Sequence, residues 1–176
     1  MHSVRHIFLT GEKKVGKSTL WQKVLARAPV SVAGFQTLEY LVGETFRGYR
    51  LHSLGKSHPQ YGNDVPISIF LRPKFHIAVS EVFDSYGADV LHMALADGGC
   101  ILMDELGTFE QNSPLFQAAV RDCLNGNCHV LGVLQKADSP FISEILNRED
   151  VQVFTVTREN REMLAEEILA LIHHFE

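Results

Sequence analysis

A segment of eight residues near the N-terminus constrains the fold more than any other part of this 176-residue chain. Residues 11–18 read GEKKVGKS and match the pattern G-x-x-x-x-G-K-[ST] at every required position. An apolar run at 5–10 predicts a buried strand before the segment, and an amphipathic pattern at 17–28, closed by Pro29, predicts a helix after it. This order of strand, loop and helix is typical of α/β folds built on a parallel sheet.

The required residues of this loop suit the binding of a polyphosphate. Gly11 and Gly16 allow successive backbone N–H groups to face one anion, and the following helix adds its N-terminal N–H groups and dipole. Lys17 supplies a positive charge for the β- and γ-phosphates, and the Ser18 hydroxyl is a ligand for Mg²⁺. We therefore predict a nucleotide-binding loop with Lys17 as a catalytic residue. Its residues are Gly11, Glu12, Lys13, Lys14, Val15, Gly16, Lys17, Ser18 and Thr19. Lys13 and Lys14 are either solvated charges on the rim or added charge near the γ-phosphate.

Two acids follow a second apolar run, 87 residues after Lys17. In CILMDE (100–105) a predicted buried strand runs directly into Asp104 and Glu105, and buried acids are costly unless a cation lies beside them. We predict that Asp104 holds Mg²⁺ together with Ser18. Glu105 is then placed to orient or deprotonate a water that attacks the γ-phosphorus. A pair of solvated acids at the start of a loop is the alternative.

The remaining patterns predict one α/β domain over residues 1–176, a three-layer fold with a mostly parallel central sheet. Alternating residues at 30–54 predict two or three antiparallel strands inserted after the first helix. An irregular loop follows at 56–66, and a strand at 67–77 is interrupted by Pro73. Further helices are predicted at 80–97, 113–124, 141–146 and 158–175 (with Thr157 as N-cap), and further strands at 129–134 and 151–157.

Composition excludes several classes of protein. The formal charge is −5 and the pI is near 6.0, without a basic cluster, so no nucleic-acid partner is expected. No apolar run is long enough to span a bilayer, so no membrane partner is expected. Three cysteines without CxxC spacing are expected to be buried thiols of a cytoplasmic protein. Trp21 is expected to pack in the core, and His2, His6, His173 and His174 to lie at the surface or at helix ends.

The chain also carries GFQTLE (34–39), RGY (47–49), DELGTFE (104–110) and VTRENR (156–161). In this order, and over residues 7–172, it resembles the small P-loop family of cancer-related and thermophile nucleoside-triphosphatases. The resemblance implies an Mg²⁺-dependent enzyme that hydrolyses ATP, GTP and other nucleoside triphosphates with little base selectivity. It also implies that Thr37, Glu39 and Arg161 lie near the site.

Some residues depart from the family pattern. Lys14 stands where members usually have glycine, Leu41 and Phe46 stand where arginines often occur, and LGTFE (106–110) differs from the usual IGxME. An arginine that stabilises the transition state contributes about 10³–10⁵ in rate. The substitutes that this chain offers are Arg47, Arg50, Arg72, Arg158 and Arg161. Supply of this arginine by a protein partner is the alternative.

Three other functions are compatible with the same loop. A regulatory GTPase is suggested by Gln135-Lys136-Ala137-Asp138, similar to the guanine-binding N-K-x-D motif, although glutamine is one methylene longer than asparagine. A nucleotide or nucleoside kinase would need an acceptor pocket and usually an arginine-rich lid, and the loop at 56–66 contains no arginine. A nucleotide sensor without turnover is the third, and the retention of Asp104 and Glu105 argues against it.

Overall fold

The computed structural model describes residues 4–72 and 75–175, and within them eight strands form one sheet. The strands are β1 (His6–Thr10), β2 (Val32–Val42), β3 (Thr45–Leu54), β4 (Asp64–Arg72), β5 (Phe75–Ala78), β6 (Cys100–Leu106), β7 (His129–Leu134) and β8 (Val151–Thr155). Their order across the sheet is β5-β4-β3-β2-β6-β7-β1-β8. The strands β2, β6, β7, β1 and β8 run parallel, whereas β3, β4 and β5 extend the sheet in antiparallel fashion. The predicted α/β sheet with an antiparallel insertion is confirmed.

Helices cover both faces of this sheet. They are α1 (Lys17–Leu25), α2 (Ser80–Val82), α3 (Ala88–Asp97), α4 (Pro114–Asn125), α5 (Pro140–Leu146) and α6 (Arg161–Ile172), with a π-helical turn at Phe83–Gly87 between α2 and α3. The helices α1 and α6 pack together on one face, and α3 and α4 pack together on the other. The structure therefore has three layers, as predicted. No helix among the described residues is both long and apolar enough to cross a membrane.

The alternation of side chains in β1 shows how the sequence specifies two cores. Ile7 and Leu9 pack with α1 and α6, whereas Phe8, between them, packs with α3 and α4. Successive residues of a strand point to opposite faces, so a strand that is apolar at every position is buried on both sides. Trp21 lies in the first of these cores with no exposed surface, and its Nε1 donates a hydrogen bond to the carbonyl of Gly132 (2.9 Å). Its predicted packing role is confirmed.

The predicted ends of several helices and strands are wrong. The first helix ends at Leu25, the predicted helix at 80–97 contains the π-helical turn, and β4 begins at Asp64, inside the predicted loop. The last helix begins at Arg161 with Asn160 as its N-cap. Thr157 belongs to a preceding turn, in which its Oγ1 accepts from the backbone N–H of Asn160 (3.3 Å) and its own N–H donates to Oδ1 of Asn160 (2.8 Å). Pro73 lies outside the described residues.

The expectation for His6 is wrong as well. Its side chain is fully buried, its Nδ1 accepts a hydrogen bond from the backbone N–H of Val130 (3.0 Å), and its Nε2 lies 3.0 Å from the carbonyl oxygen of Leu124. Burial lowers the pKa of His6 to about 4. A neutral imidazole therefore joins β1 to β7 and α4. His2 lies outside the described residues.

Candidate nucleotide site

Three segments meet at the carboxyl edge of the parallel strands. The loop at 11–16 follows β1, Asp104 and Glu105 stand near the end of β6, and Gln135 follows β7. Since β6, β7 and β1 are neighbours in the sheet, residues that are distant in sequence come together here. The carboxyl edge is where open α/β sheets bind their ligands.

Both glycines of the loop occupy positions that disfavour a side chain. Gly11 has φ of 140°, and a Cβ there would lie 2.5 Å from the carbonyl oxygen of Val156. Gly16 has φ of 95°, and a Cβ there would lie 2.7 Å from Nη1 of Arg161. A backbone clash therefore requires glycine at position 11, whereas at position 16 the Arg161 side chain can move and it is the positive φ that favours glycine. Arg161, which the resemblance places near the site, lies directly against the loop.

The three lysines of the loop have different environments. Lys17 is buried, and its Nζ donates to the carbonyl oxygens of Gly11 (3.0 Å) and Glu12 (2.8 Å), so its ammonium lies inside the curve of the loop. Lys13 and Lys14 are exposed and line the cleft described below. Lys14 has φ of 61°, a left-handed conformation that is unfavourable for any residue with a Cβ. Its backbone therefore adopts a conformation suited to glycine, the residue that the resemblance implies for this position.

The side chain of Glu12 turns away from the cleft. Its Oε1 accepts a hydrogen bond from Nζ of Lys136 (2.6 Å), and this bond lowers the pKa of the Glu12 carboxyl. Gly11, Glu12 and Val15 are not among the residues that line the cleft. Val15 instead packs against the core beneath α1 and α6. Of these three predicted nucleotide-binding residues, Gly11 and Glu12 contribute backbone carbonyls that position Lys17.

Asp104 and Ser18 form a pair of oxygen donors beside the loop. The Ser18 hydroxyl donates to Oδ1 of Asp104 (3.2 Å), and Asp104 is only 3% exposed. Burial raises the pKa of Asp104 to about 6, opposed in part by the hydrogen bond from Ser18. A buried carboxylate next to a hydroxyl is the hard oxygen set that Mg²⁺ prefers. The residues present therefore fit a magnesium ion.

Glu105 is oriented by Gln135. The side-chain amide of Gln135 donates from Nε2 to Oε1 of Glu105, and its Oε1 accepts from the backbone N–H of Thr108 (3.3 Å). A Cβ on Gly107 would lie 2.1 Å from Oε1 of Gln135, so the contact requires glycine at that position. The Asp104–Glu105 peptide bond is cis. Gln135 thus connects Glu105 to the loop that follows β6.

A second carboxyl, Glu110, is buried at the base of the same loop. It is 1% exposed, and its Oε1 accepts a hydrogen bond from the backbone N–H of Gly107. Its carbonyl oxygen accepts from Nε2 of Gln117 on α4 (3.1 Å). Burial raises the pKa of Glu110 to about 7. The loop after Glu105 is therefore held by an acid that is protonated below neutral pH and ionises as the pH rises through about 7.

These groups line one cleft of about 680 Å³. It brings together the predicted residues Lys13, Lys14, Gly16, Lys17, Ser18, Thr19, Asp104 and Glu105, and Thr37 from the resemblance. Its remaining lining residues are Tyr49, Phe70, Thr108, Phe109, Glu110 and Gln135. Of these, the sequence indicated a site role only for Gln135, within the guanine-binding pattern. Gln135 had a detectable signal, since it directly follows a buried parallel strand, as Glu105 does. Tyr49 and Phe70 come from the antiparallel insertion, Phe109 comes from the loop after β6, and none of the three had such a signal.

The structure also bears on the guanine-binding pattern and on the arginines. The Gln135 side chain donates a hydrogen bond to Glu105, and the Lys136 side chain donates one to Glu12. Both contacts lie at the reacting end of the loop. This argues against their use in recognition of a base. Among the described residues no arginine lines the cleft, and Arg50 is paired with Asp64 (3.0 Å). Among the described lining residues, positive charge is thus supplied by lysines.

Known proteins share this sequence along nearly its whole length. The profile of a family described as NTPase matches residues 6–169. The nucleoside-triphosphatase THEP1 of Thermotoga maritima is 30% identical over 167 residues, which cover 94% of each chain. The human cancer-related nucleoside-triphosphatase is 34% identical over 190 residues, with 96% of each chain covered.

Solved structures share the fold. The solution structure of a human cancer-related nucleoside triphosphatase has a TM-score of 0.78 and 31% identity, covering 98% of this chain and 99% of that one. The crystal structure of THEP1 from the hyperthermophile Aquifex aeolicus has a TM-score of 0.77 and 26% identity, covering 96% of this chain and 99% of that one. The fold described above is therefore shared with these proteins.

Proposed function

This chain belongs to the NTPase family, and from the geometry of its cleft we propose that it hydrolyses nucleoside triphosphates, ATP and GTP among them, to the diphosphate and phosphate. The observation that carries the proposal is the contact of Ser18 with Asp104, with Glu105 next in sequence. This contact joins the phosphate-binding loop that follows β1 to the acids near the end of β6. Loop and acids together supply what hydrolysis of a phosphoanhydride needs.

The loop binds and positions the polyphosphate. Backbone N–H groups between Gly11 and Thr19 surround it, and the N-terminus of α1 faces it. Lys17 exchanges its contacts with the carbonyls of Gly11 and Glu12 for the β- and γ-phosphate oxygens. Lys14 adds a second positive charge from the rim. This placement of cations favours the charge that develops on the phosphate oxygens as the anhydride bond breaks.

Ser18 and Asp104 would hold the magnesium ion. When bound, Mg²⁺ neutralises phosphate charge and assists departure of the diphosphate. Its charge also favours the ionised form of Asp104, whose pKa burial otherwise raises. A buried acid without a cation beside it is costly, so the observed burial supports this assignment.

Glu105 positions and deprotonates the attacking water. Its Oε1 is engaged by Gln135, which leaves Oε2 for the water. The water oxygen forms a bond to the γ-phosphorus, its proton passes to Glu105, and the bridging oxygen leaves with the nucleoside diphosphate. General-base assistance of this kind contributes about 10²–10⁴ in rate. A cytoplasmic site for the reaction agrees with three buried, free cysteines, Cys100, Cys123 and Cys128.

Release of phosphate from each of ATP, GTP, CTP and UTP, with and without Mg²⁺, tests the proposal. We expect release from all four with Mg²⁺ and a loss of binding in Lys17→Ala. Lys56→Ala is the matched control, since Lys56 pairs with Asp97 outside the cleft. No release from any nucleotide, or equal release by the Lys17→Ala protein, would contradict hydrolysis at this loop. A marked preference for GTP would instead favour the regulatory GTPase.

A further inference from the structure

The cleft continues beyond the residues that hydrolysis uses. Glu105 lies on β6, and the sheet continues from it through β2 and β3 to β4, away from the phosphate-binding loop. With strands about 4.8 Å apart, β3 and β4 lie about 10 and 14 Å from β6. The cleft reaches both strands, since Tyr49 and Phe70 line it. An attacking water takes only about 30 Å³ of volume. The cleft therefore extends farther than an attacking water requires.

This far end has an aromatic wall, formed by Tyr49 of β3, Phe70 of β4 and Phe109 of the loop after β6. The ring centroid of Tyr49 lies 6.4 Å from that of Phe70 and 6.1 Å from that of Phe109. Phe46 contacts two of these rings, with its centroid 5.4 Å from that of Tyr49 and 5.3 Å from that of Phe70. The three lining rings are half-buried, so part of each faces the cleft. Such rings stack on planar heteroaromatic molecules.

The polar groups around the wall indicate the charge of its ligand. Thr37 and Thr108 also line the cleft and offer hydroxyl groups to the edge of a ring. The lysines among the lining residues, Lys13, Lys14 and Lys17, all belong to the phosphate-binding loop. The described part of the aromatic end therefore offers no cation to a second phosphate. To the described residues of this end, an uncharged molecule is better suited than a phosphorylated one.

We propose that the aromatic end of the cleft binds a nucleoside, with its base against Tyr49, Phe70 and Phe109, and that its hydroxyl replaces water as acceptor of the γ-phosphoryl group. A nucleoside combines a planar base for the wall with a primary hydroxyl that extends toward Glu105. The inference rests on the proposed function, because the triphosphate must first occupy the loop. Under this proposal, hydrolysis is the reaction that occurs when no nucleoside occupies the aromatic end of the cleft.

Transfer of the phosphoryl group to the nucleoside uses the same residues that were assigned to hydrolysis. The hydroxyl oxygen of the nucleoside forms a bond to the γ-phosphorus, and its proton passes to Glu105. The bond between the γ-phosphorus and the bridging oxygen breaks, and the electron pair leaves with the nucleoside diphosphate. The products are a nucleoside monophosphate and a nucleoside diphosphate, and no further reactant is required.

Product analysis with γ-³²P-labelled ATP tests this inference. The native protein is incubated with Mg²⁺ and, in turn, adenosine, guanosine, cytidine, uridine or thymidine at millimolar concentration, and labelled products are separated by chromatography. We expect a labelled nucleoside monophosphate with at least one nucleoside and less labelled inorganic phosphate in the same reaction. Labelled phosphate alone with all five nucleosides overturns the inference while supporting hydrolysis. Transfer to nucleoside monophosphates but not to nucleosides overturns it too.

Variants then locate the acceptor. Phe70→Leu keeps apolar volume but removes a ring, and should lower the ratio of labelled monophosphate to labelled phosphate about tenfold or more. Tyr49→Leu should act in the same direction. Phe75→Leu is the matched control, since Phe75 is exposed on the neighbouring strand and does not line the cleft. An unchanged ratio in both Phe70→Leu and Tyr49→Leu overturns the assignment to the aromatic wall. Failure of ATP hydrolysis in the native protein would instead refute the proposed function.

Discussion

The amide of Gln135 donates a hydrogen bond to the carboxylate of Glu105, and so joins the ends of two neighbouring parallel strands at the reacting edge of the sheet. The same amide accepts from the backbone N–H of Thr108. A carboxylate held at one oxygen presents the other in a defined direction. The efficiency of a general base depends on such positioning.

Replacement of Glu105 by glutamine should separate binding from turnover. Glu105→Gln keeps the size of the side chain but removes the base, so we expect turnover to fall by tenfold or more while affinity for the triphosphate changes little. Phosphate release and calorimetric titration with Mg²⁺ and ATP measure the two quantities. Glu81→Gln, an exposed position on α2, is the control. Unchanged turnover in Glu105→Gln would remove this residue from the mechanism.

Loss of the orienting amide should have a smaller effect of the same kind. In Gln135→Ala the carboxylate of Glu105 loses its partner, and we expect kcat to fall about tenfold with KM nearly unchanged, as for a hydrogen bond of about 1.4 kcal/mol. Steady-state kinetics with ATP provides the test. Gln60→Ala, exposed in the loop before β4, should retain native kinetics. A rise in KM alone would mean that Gln135 serves binding rather than orientation.

Lys14 should show opposite effects on stability and on activity. Lys14→Gly removes a side chain from a left-handed position, so the free energy of unfolding should rise by about 1 kcal/mol. Turnover should fall about tenfold, because a positive charge is lost from the cleft. Urea denaturation and phosphate release measure these changes.

Lys14→Gln distinguishes strain from charge in that experiment. It keeps the strained backbone and removes the charge, so turnover should fall without a gain in stability. Native turnover in both Lys14 variants would leave this lysine as a solvated residue on the rim.

The parts of the site that were predictable from sequence are those whose chemistry lies in consecutive residues. The loop from Gly11 to Ser18 and the pair Asp104–Glu105 each combine a buried strand with functional groups directly after it. The two-sided burial of β1 was likewise visible in its unbroken apolar run. Local pattern and local function coincide in these segments, so no knowledge of the three-dimensional fold was needed to find them.

The remaining features depend on strand order, which the sequence did not reveal. Tyr49, Phe70 and Phe109 meet because two strands of the insertion lie beside the loop after β6. The polar side chain of His6 is buried, because β7 and α4 supply its hydrogen-bond partners. Such contacts arise between segments with no shared sequence signal. The extended cleft and the buried imidazole were therefore missed for the same reason.

Magnesium dependence should follow the Ser18–Asp104 pair. Chelation of Mg²⁺ should lower phosphate release by about a hundredfold or more, since the metal supplies several kcal/mol of charge stabilisation. Ser18→Ala removes one ligand, and we expect the Mg²⁺ concentration for half-maximal activity to rise about tenfold. Ser143→Ala on the exposed side of α5 is the control. Native Mg²⁺ dependence in Ser18→Ala would place the metal elsewhere.

Glu110 should make stability depend on pH. Its pKa in the folded protein is about 7, above the ordinary value of 4.5, because burial favours the neutral acid. The folded state then binds more protons than the unfolded state between these two pH values. The stabilisation is complete below about pH 4.5 and is lost as pH rises through 7, at about 1.4 kcal/mol per pH unit. Asp104 acts in the same direction at lower pH, since its pKa is raised from 3.8 to about 6.

Comparison with Glu110→Gln isolates this contribution. The variant keeps the oxygen that accepts from Gly107 but does not titrate, so between pH 5 and pH 8 the native protein should lose about 2–3 kcal/mol of stability relative to it. Urea denaturation without nucleotide or metal, at intervals of half a pH unit, gives both curves. Glu167→Gln, exposed on α6, should run parallel to the native protein. If the Glu110→Gln curve also runs parallel to the native one, Glu110 is ionised in the folded state, and its burial must be compensated by the N–H of Gly107.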